Sequence, residues 1–428
     1  MKKIFLRVVS LALFAAMLML VGCNAPIDIY EEDETEAKIA TEKITEEATE
    51  KTTEKPTEKP TERNEENKED KKPLGDGNIR LGMTLSSKDS YLKGQALKHG
   101  VEAAIAEINA AGGLGGLQFV LMTEDDKGDA TLVPELYEKM LEEGMQISLG
   151  SVNEECCKVF AKRTSADGIF TLSPNATSRD MFGYERFYGM NMATMDEMDV
   201  LIDYLRSLNS SKKFPIIYNS EYPYAVERKD YLLQKAPDLF ASDLVIDDAF
   251  YWEEMEWDLL DKFLEYDNFV ALDMLDNTYF DMISYDIEYL SDEEKNFIGV
   301  HTDYDFDWGI VIDSGATILM PFDIDAESGE WAEFYEKYHD SHYADDLVAL
   351  GYDAVYAIYE ALCVAVENGE DISDKTTAAE FGEILDNVFK GGFEFDALSG
   401  GESDGRGIVT WYSDGRAKKK LTPVRIEM

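Results

Sequence analysis

After Asn78 the chain alternates short apolar runs with amphipathic stretches, and this alternation is the feature that most constrains its fold. In the first unit, residues 79–85 read as a buried strand, and a Ser86-Ser87 loop follows. Residues 94–110 carry apolar side chains near helical spacing, and the glycines of 112–116 predict a turn. Strands separated by helices are joined by right-handed crossovers and form parallel sheets, so the predicted fold class is α/β.

The same pattern recurs along the chain, and further strands are predicted at 117–123, 145–150, 169–173, 214–218, 243–249, 269–275, 297–301 and 316–321. Roughly 350 residues are more than one core accommodates comfortably, so two α/β lobes are expected. A cleft between them would be lined by loops at the carboxyl ends of strands, where open parallel sheets bind ligands.

The first 22 residues have the composition of an export signal. Basic residues precede the apolar run 8–21, which is too short to span a bilayer comfortably. Residues 20–23 (LVGC) resemble the bacterial lipobox, where cleavage precedes a lipid-modified cysteine; an ordinary signal peptide with an incidental cysteine is the alternative. We expect a palmitate-type lipid anchor on Cys23 and a location on the extracytoplasmic face of the cell membrane. No later segment is expected to supply the roughly 20 apolar residues of a membrane helix.

Residues 23–77 predict a tether between this anchor and the folded part. From Thr41 to Arg63 the chain repeats a four-residue Thr-Glu unit that is nearly free of large apolar side chains, a composition that cannot form a core. Treated as a coil, residues 24–77 would span on the order of 40 Å. A spacer is favoured over a cell-wall-binding tract.

Charge and cysteine content narrow the classes of partner. The formal net charge of −48 would repel phosphate, which argues against nucleic acid. Apart from Cys23, the odd set Cys156, Cys157 and Cys363 provides no disulfide framework. Cys156 and Cys157 are expected to be small buried helix residues rather than a vicinal disulfide or a metal site. No cofactor or metal is expected.

Catalytic motifs are weak or missing. The sequence contains neither G-x-S-x-G nor H-E-x-x-H, although His339 and His342 could share a helix face. A carboxylate pair for glycoside hydrolysis could be drawn from many acids, for example Glu253, Glu254, Asp273 and Asp276, and no rule selects one pair. A binding module is therefore favoured over an enzyme.

Several segments resemble, in the same order, those of one known family. They are "EINAAGGLGGLQFVLMTEDDKGD", "LGSVNEECCKVFAKRTSADGIFTLSPNATS", "IIYNSEYPYA", "LMPFDID" and "LVALGYDAVYAIYEAL". They are similar to the type I periplasmic-binding proteins, of which the leucine/isoleucine/valine-binding proteins of ABC transporters are the usual example. The resemblance implies two Rossmann-like lobes with parallel sheets, joined by a three-crossover hinge that closes on a ligand. It places lobe 1 at about 78–192 with 322–388 and lobe 2 at about 193–321 with 389–428.

The resemblance also implies where the first lobe contacts its ligand. Ser86 lies in the family's serine-bearing loop, and Ser173, Ala176 and Thr177 match its S-P-S-A-T loop, in which Asn175 replaces the second serine. Backbone N–H groups and hydroxyls in such a loop suit a carboxylate or another acceptor group.

One departure from the family bears on the ligand. Glu154, preceded by Asn153, stands where the family commonly has a serine that binds a ligand carboxylate. A glutamate would compete with an anion there, so a neutral amino acid becomes doubtful. From the second lobe, candidate contacts are Tyr222 or Tyr224, with Asp273, Asp276 and Asp303. With Glu154, these acids favour a cationic or amine-bearing solute.

A second departure from the family, at Gly189–Thr194, and one family match, at Tyr352 and Asp353, both predict structural roles. Thr194 and Glu197 are interpreted as a capping box at the start of a helix. Tyr352 and Asp353 are interpreted as packing and surface residues of a helix rather than ligand contacts.

Three functions stay open. The first is a monomeric receptor that delivers an amino acid, amine or amide to an ABC permease. The second is a sensory or scaffolding lipoprotein without transport, and the third is a surface hydrolase.

Overall fold

The structure is a computed structural model that describes residues 75–88, 90–247, 262–272, 287, 295–300, 316–320, 329–340, 342–343, 345–401 and 406–426. These residues all fall within one unit of the chain, Asn67–Met428. The described strands are, in chain order from β1 to β14, Asn78–Leu85, Gln118–Asp125, Ile147–Ser151, Thr171–Ser173, Phe187–Gly189, Ile216–Tyr218, Val245–Asp247, Asn268–Ala271, Asn296–Val300, Ala316–Met320, Phe395–Ala397, Gly407–Trp411, Ala417–Lys418 and Thr422–Ile426.

The first five α-helices of the described residues lie between strands from β1 to β7, and the last three lie between β10 and β11. In chain order from α1 to α8 they are Tyr91–Ala110, Val133–Glu142, Glu154–Ala166, Thr194–Ser207, Pro223–Lys235, Glu330–Tyr338, Asp345–Glu367 and Ala378–Lys390. The predicted helix in residues 94–110 is confirmed, with three more residues at its start.

The first sheet has the strand order β2-β1-β3-β4-β5, and all its pairs are parallel. β1 lies between β2 and β3, and all but the first of its residues are buried. A strand covered on both faces reads as a continuous apolar run, which explains why it stood out in the sequence.

The second sheet has the order β14-β10-β9-β8-β6-β7. Its pairs are parallel apart from β14, which runs antiparallel to β10. Each strand predicted from the sequence is found in one of these two sheets, and the α/β class is confirmed. The short strand β5 and the strands β11 to β14 were not predicted. A further antiparallel sheet has the order β11-β12-β13.

Helices α1 and α7 pack closely beside the first sheet. A Cβ added at Gly100 would lie 1.8 Å from the Val348 carbonyl oxygen, and one at Gly351 would lie 2.2 Å from that of Leu97. The two glycines therefore let the backbones approach to a distance that a side chain would prevent.

Glu107 on α1 holds α6 and α7 in place. Its carboxylate accepts hydrogen bonds from Lys337 and Tyr338, from the Tyr352 hydroxyl at 2.5 Å and from the Tyr356 hydroxyl at 2.9 Å. Burial alone would raise the pKa of Glu107, but these donors lower it to about 2. The interpretation of Tyr352 as a packing residue agrees with these contacts.

One described helix, α7, is long and apolar enough to cross a membrane. The expectation that no later segment has such a composition is therefore wrong for this helix. Of its most apolar stretch, 72% is buried inside the domain, as expected for a helix that packs in a core.

Two connections between the sheets lie side by side. Residues 190–193 lead from β5 to α4, which packs with the second sheet, and residues 419–421 lead from β13 to β14. Met192, in the first connection, forms a parallel bridge with Ala417 in β13, the strand that leads into the second connection. Asp196, at the start of α4, accepts hydrogen bonds from Arg179 and Arg416. The bond from Arg416 also joins this helix to the turn before β13. The connection from β10 to α6 falls largely outside the described residues.

Three structural interpretations of the sequence are wrong. Helix α4 begins after Ala193 and has no side-chain cap, so Thr194 is its first residue and forms no capping box with Glu197. Asp353 is 1% exposed and therefore not a surface residue. His339 and His342 follow the end of α6 and bond to Asp345 and Asp340 respectively, so they share no helix face.

Candidate functional site

The carboxyl ends of β1 and β3 meet where the strand order of the first sheet reverses. In doubly wound sheets a crevice for ligands opens at this switch point. Ser86 follows β1, and Asn153 and Glu154 follow β3. The structure thus brings three of the predicted ligand residues to one edge of the sheet.

Asp126 fixes the geometry of this edge. It is fully buried, and its carboxylate accepts hydrogen bonds from the Thr84 and Ser151 hydroxyls, each at 2.7 Å, and from the Gly128 N–H at 2.9 Å. One carboxylate therefore joins the ends of β1 and β3 to the loop after β2. The role of Asp126 was not predicted, because a single aspartate in an acidic sequence carries no signal of burial.

The start of α3 is already capped by its own residues. The Asn153 side chain accepts a hydrogen bond from the Cys156 N–H at 3.1 Å. The half-exposed Glu154 carboxylate lies 3.0 Å from Lys158 Nζ, one turn further along the helix. The Asn153 amide oxygen and the Glu154 carboxylate occupy the positive end of the helix dipole, so this end is poorly suited to a second anion.

The loop after β4 lies beside the same helix start. Asn175 Nδ2 is 3.4 Å from the Val152 carbonyl oxygen, which places the predicted Ser173–Thr177 loop next to Asn153. Ser173 and Ala176 are buried, whereas Asn175 and Thr177 are partly exposed. Within this loop Asn175 and Thr177 are therefore the side chains best placed to meet a solute.

Ser86 is buried as well. It is 1% exposed, and its hydroxyl oxygen accepts a hydrogen bond from the Lys88 N–H at 3.2 Å. This bond shapes the turn between β1 and α1.

The second sheet has a corresponding switch point between β6 and β8. After β6, the Asn219 side chain accepts from the Glu221 N–H at 2.8 Å, and Asp247 accepts from the Ser220 N–H at 3.0 Å. These bonds lead to Tyr222, the N-cap of α5, which is 36% exposed. Tyr224 lies in the first turn of α5.

Several predicted residues lie outside the described part of the chain. They are Cys23, Asp273 and Asp303, together with Glu253, Glu254 and Asp276. Their roles stay predictions.

A buried polar group between the sheets was missed by sequence reasoning. Asp353 on α7 accepts hydrogen bonds from the Leu398 and Ser399 N–H groups and from the Ser399 hydroxyl at 2.7 Å. Lys419 Nζ donates to the same hydroxyl at 2.8 Å. Burial lowers the pKa of Lys419 to about 8, while the charges of Asp353 and Glu197 act in the opposite direction.

The cysteines behave as the sequence predicts. Cys156 and Cys157 are buried residues of α3, and both are free thiols. Burial and the nearby Asp126 carboxylate raise the pKa of Cys156 to about 12, so its thiol is unreactive. Among the described residues, no group of His, Cys, Asp or Glu side chains is arranged to hold a metal ion.

Parts of the sequence are similar to those of known proteins. Residues 79–248 match the family model of the periplasmic binding proteins. A Leu/Ile/Val-binding protein homolog of Brucella melitensis is 26% identical over 128 residues, which cover 29% of this chain and 35% of that protein. The match therefore spans about a third of the length of that relative.

Solved structures match over a larger part of the chain. An ABC transporter substrate-binding protein from Desulfitobacterium hafniense, in complex with Leu, has a TM-score of 0.57 at 17% identity, covering 82% of this chain and 97% of that one. A solute-binding protein from R. palustris, in complex with benzoate, has a TM-score of 0.54 at 15% identity, covering 82% and 98%. This is the fold of a type I periplasmic binding protein. The family resemblance and the fold predicted from the sequence are both confirmed.

Each of the two sheets thus has a switch point, the position at which doubly wound sheets bind ligands. The similar proteins are named as solute-binding proteins and not as enzymes.

Proposed function

We propose that this protein captures a small polar solute between its two lobes and delivers it to an ABC permease. The observation that carries the proposal is the meeting of the Ser86, Asn153 and Asn175 loops at the switch point of the first sheet, in a fold shared with solute-binding proteins. The lobes are residues 78–192 with 322–388 and residues 193–321 with 389–428. Strands β1 to β5 form one sheet, and strands β6 to β10 with β14 form the other, which supports this division.

The proposed solute is an amino acid, an amine or an amide. The solved relatives hold leucine and benzoate, and both molecules carry a carboxylate. Here Asn153 and Glu154 occupy the helix start that would attract such a group. A solute with an amine is therefore favoured over a simple acid.

The solute acts by stabilising a closed arrangement of the lobes. A ligand shifts such an equilibrium only by its difference in affinity for the two arrangements. Contacts from both lobes, including Tyr222 on the second, provide that difference because they exist together only when the lobes close. The protein works as a monomer and catalyses no reaction on the solute.

The lipid on Cys23 holds the receptor at the membrane. Residues 23–77 act as its tether, and the folded part faces away from the cytoplasm. This arrangement keeps the receptor within reach of a permease.

A thermal-shift screen of the full-length protein tests the proposal. The panel contains amino acids, polyamines, amides and short peptides. A ligand at about 100 times its dissociation constant should stabilise the protein by about 2.7 kcal/mol. Tight binding of an acidic amino acid, with no response to basic or neutral amines, would exclude the amine-bearing class.

A complete lack of response would favour a scaffolding lipoprotein over a solute receptor. A solute that binds while its uptake continues in cells lacking the protein would favour a sensor. Turnover of a glycan or an ester by the purified protein would instead support a surface hydrolase.

A further inference from the structure

The connection between β5 and α4 contains a buried N–H donor that has no acceptor among the described residues. Asn191 is 3% exposed, and its side-chain oxygen accepts a hydrogen bond from the Met192 N–H at 2.8 Å. The amide nitrogen, Nδ2, has no hydrogen-bond acceptor among the described residues and no contact with solvent. Native structures leave few buried donors unpaired, because each costs about 1–3 kcal/mol. Asn191 therefore requires an explanation.

The position of Asn191 suggests what its partner is. On one side, the Met190 N–H donates to the Ser173 carbonyl at 2.8 Å, and the Thr194 N–H donates to the Thr177 carbonyl at 3.1 Å. The connection is thus bonded at both ends to the loop that forms part of the candidate site. On the other side, Met192 is bridged to Ala417 in β13, the strand that leads into the second connection. Asn191 lies between these attachments, where the chain passes from one sheet to the other.

The bond to the Met192 N–H fixes the plane of the carboxamide and so leaves Nδ2 with a defined direction. Nδ2 carries two N–H donors and can bind only acceptors. None of the described residues offers Nδ2 an acceptor, so we expect an acceptor to reach it when this connection turns. Such a turn accompanies any movement of the two lobes, because residues 190–193 are one of the links between them.

We propose that Asn191 is a ligand-binding residue whose side-chain N–H group donates a hydrogen bond to an oxygen of the bound solute. The inference rests on the proposed function and narrows it. The solute must present an acceptor oxygen, such as a carbonyl, a carboxylate or a hydroxyl, to the hinge side of the cleft. A simple alkyl polyamine has no such oxygen, so an amine-bearing amide or amino acid fits better.

Asn191→Leu tests the inference, with Asn109→Leu as the matched control. Asn109 is also an asparagine of the first lobe, but its side chain is fully paired: Nδ2 donates to the Phe119 carbonyl at 2.9 Å, and the oxygen accepts from the Phe119 N–H at 2.8 Å. The full-length variants are compared by thermal unfolding without ligand. Their affinities are then measured by calorimetry with whichever of L-leucine, L-lysine, L-glutamine and spermidine shifts the wild type most.

Asn191→Leu should weaken binding by ~10-fold or more, the factor that about 1.4 kcal/mol represents. Without ligand it should unfold at a temperature much closer to the wild type than Asn109→Leu does, because it removes an unpaired donor. Asn109→Leu should show the reverse pattern, with reduced stability and unchanged affinity. Asn191→Asp, which keeps the acceptor oxygen but loses the donor, should also bind weakly.

Two outcomes would overturn the inference alone: wild-type affinity in both Asn191 variants, or a loss of stability in Asn191→Leu as large as in the control. A preference for spermidine would also overturn it, because that molecule offers no acceptor oxygen. A wild type that responds to no probe here or in the wider screen would overturn the proposed function, and this inference with it.

Discussion

At the scale of single residues, Asp126 is the group on which the candidate site most depends. Asp126→Ala removes an acceptor shared by Thr84, Ser151 and Gly128 and leaves the buried hydroxyls of Thr84 and Ser151 and the half-buried Gly128 N–H without it. We expect the free energy of unfolding to fall by roughly 3 kcal/mol or more, which urea denaturation would measure.

The control for this change is Asp129→Ala. Asp129 is exposed, and its carboxylate accepts hydrogen bonds from the N–H and the hydroxyl of Thr131. Its loss should cost about 1 kcal/mol or less. Equal effects of the two substitutions would mean that Asp126 does not hold the strand ends together.

Lys419, in the second connection between the sheets, makes the stability of the protein depend on pH. Its pKa is lowered to about 8 in the folded protein, below the value near 10.4 of an unfolded lysine. Between these two values the unfolded chain binds more protons, so Lys419 makes stability rise with pH from about 8 to about 10. In Lys419→Met the free energy of unfolding should rise less over this window than in the wild type.

The control is Lys375→Met, which replaces an exposed lysine and should leave the pH profile unchanged. Parallel profiles for all three proteins would show that Lys419 does not cause the pH dependence.

At the scale of elements, the contact between α1 and α7 depends on glycine. Gly100→Ala would place a methyl group 1.8 Å from the Val348 carbonyl oxygen and force the helices apart, at a cost of roughly 3 kcal/mol. Gly94 lies on the same helix, and a Cβ there would come no closer than 3.5 Å to Leu85. Gly94→Ala should therefore be neutral or stabilise by up to about 1 kcal/mol through helix propensity. Chemical denaturation of both variants checks the contrast, which fails if Gly100→Ala unfolds like the wild type.

The elements also show which signals in the sequence are strong. β1 and α1 were predicted because several consecutive residues repeat one burial pattern. β5 has three residues and was not predicted, whereas the equally short β4, β6 and β7 lie within longer predicted runs, 169–173, 214–218 and 243–249. A capping box was expected at Thr194, but the structure forms one at Thr377 and Glu380, the start of α8. Both pairs fit the sequence rule, and only the backbone at the helix start decides between them.

At the scale of the whole molecule, the order of segments along the chain predicted two lobes and the edge that carries the site. The buried groups between the sheets were not predictable in the same way. Asp353 was interpreted as a surface residue, yet it pairs with Ser399, which lies 46 positions later. Nothing in the sequence marked Asn191 as a buried residue. Pairings between distant segments depend on how the lobes meet, and a single sequence does not record that.

The anchor is the property of the whole molecule that sequence alone predicts, since Cys23 and the tether lie outside the described residues. In cells supplied with labelled palmitate, the wild type should carry the label and lack its first 22 residues. Cys23→Ala should lose the label, because the lipid has no other thiol at the cleavage site, and should keep its signal. Cys363→Ala is the matched control: this cysteine is half-buried in α7 and should not affect labelling. A Cys23→Ala protein that still takes up the label, or a wild type that takes up none, would show that the membrane attachment rests on something other than this cysteine.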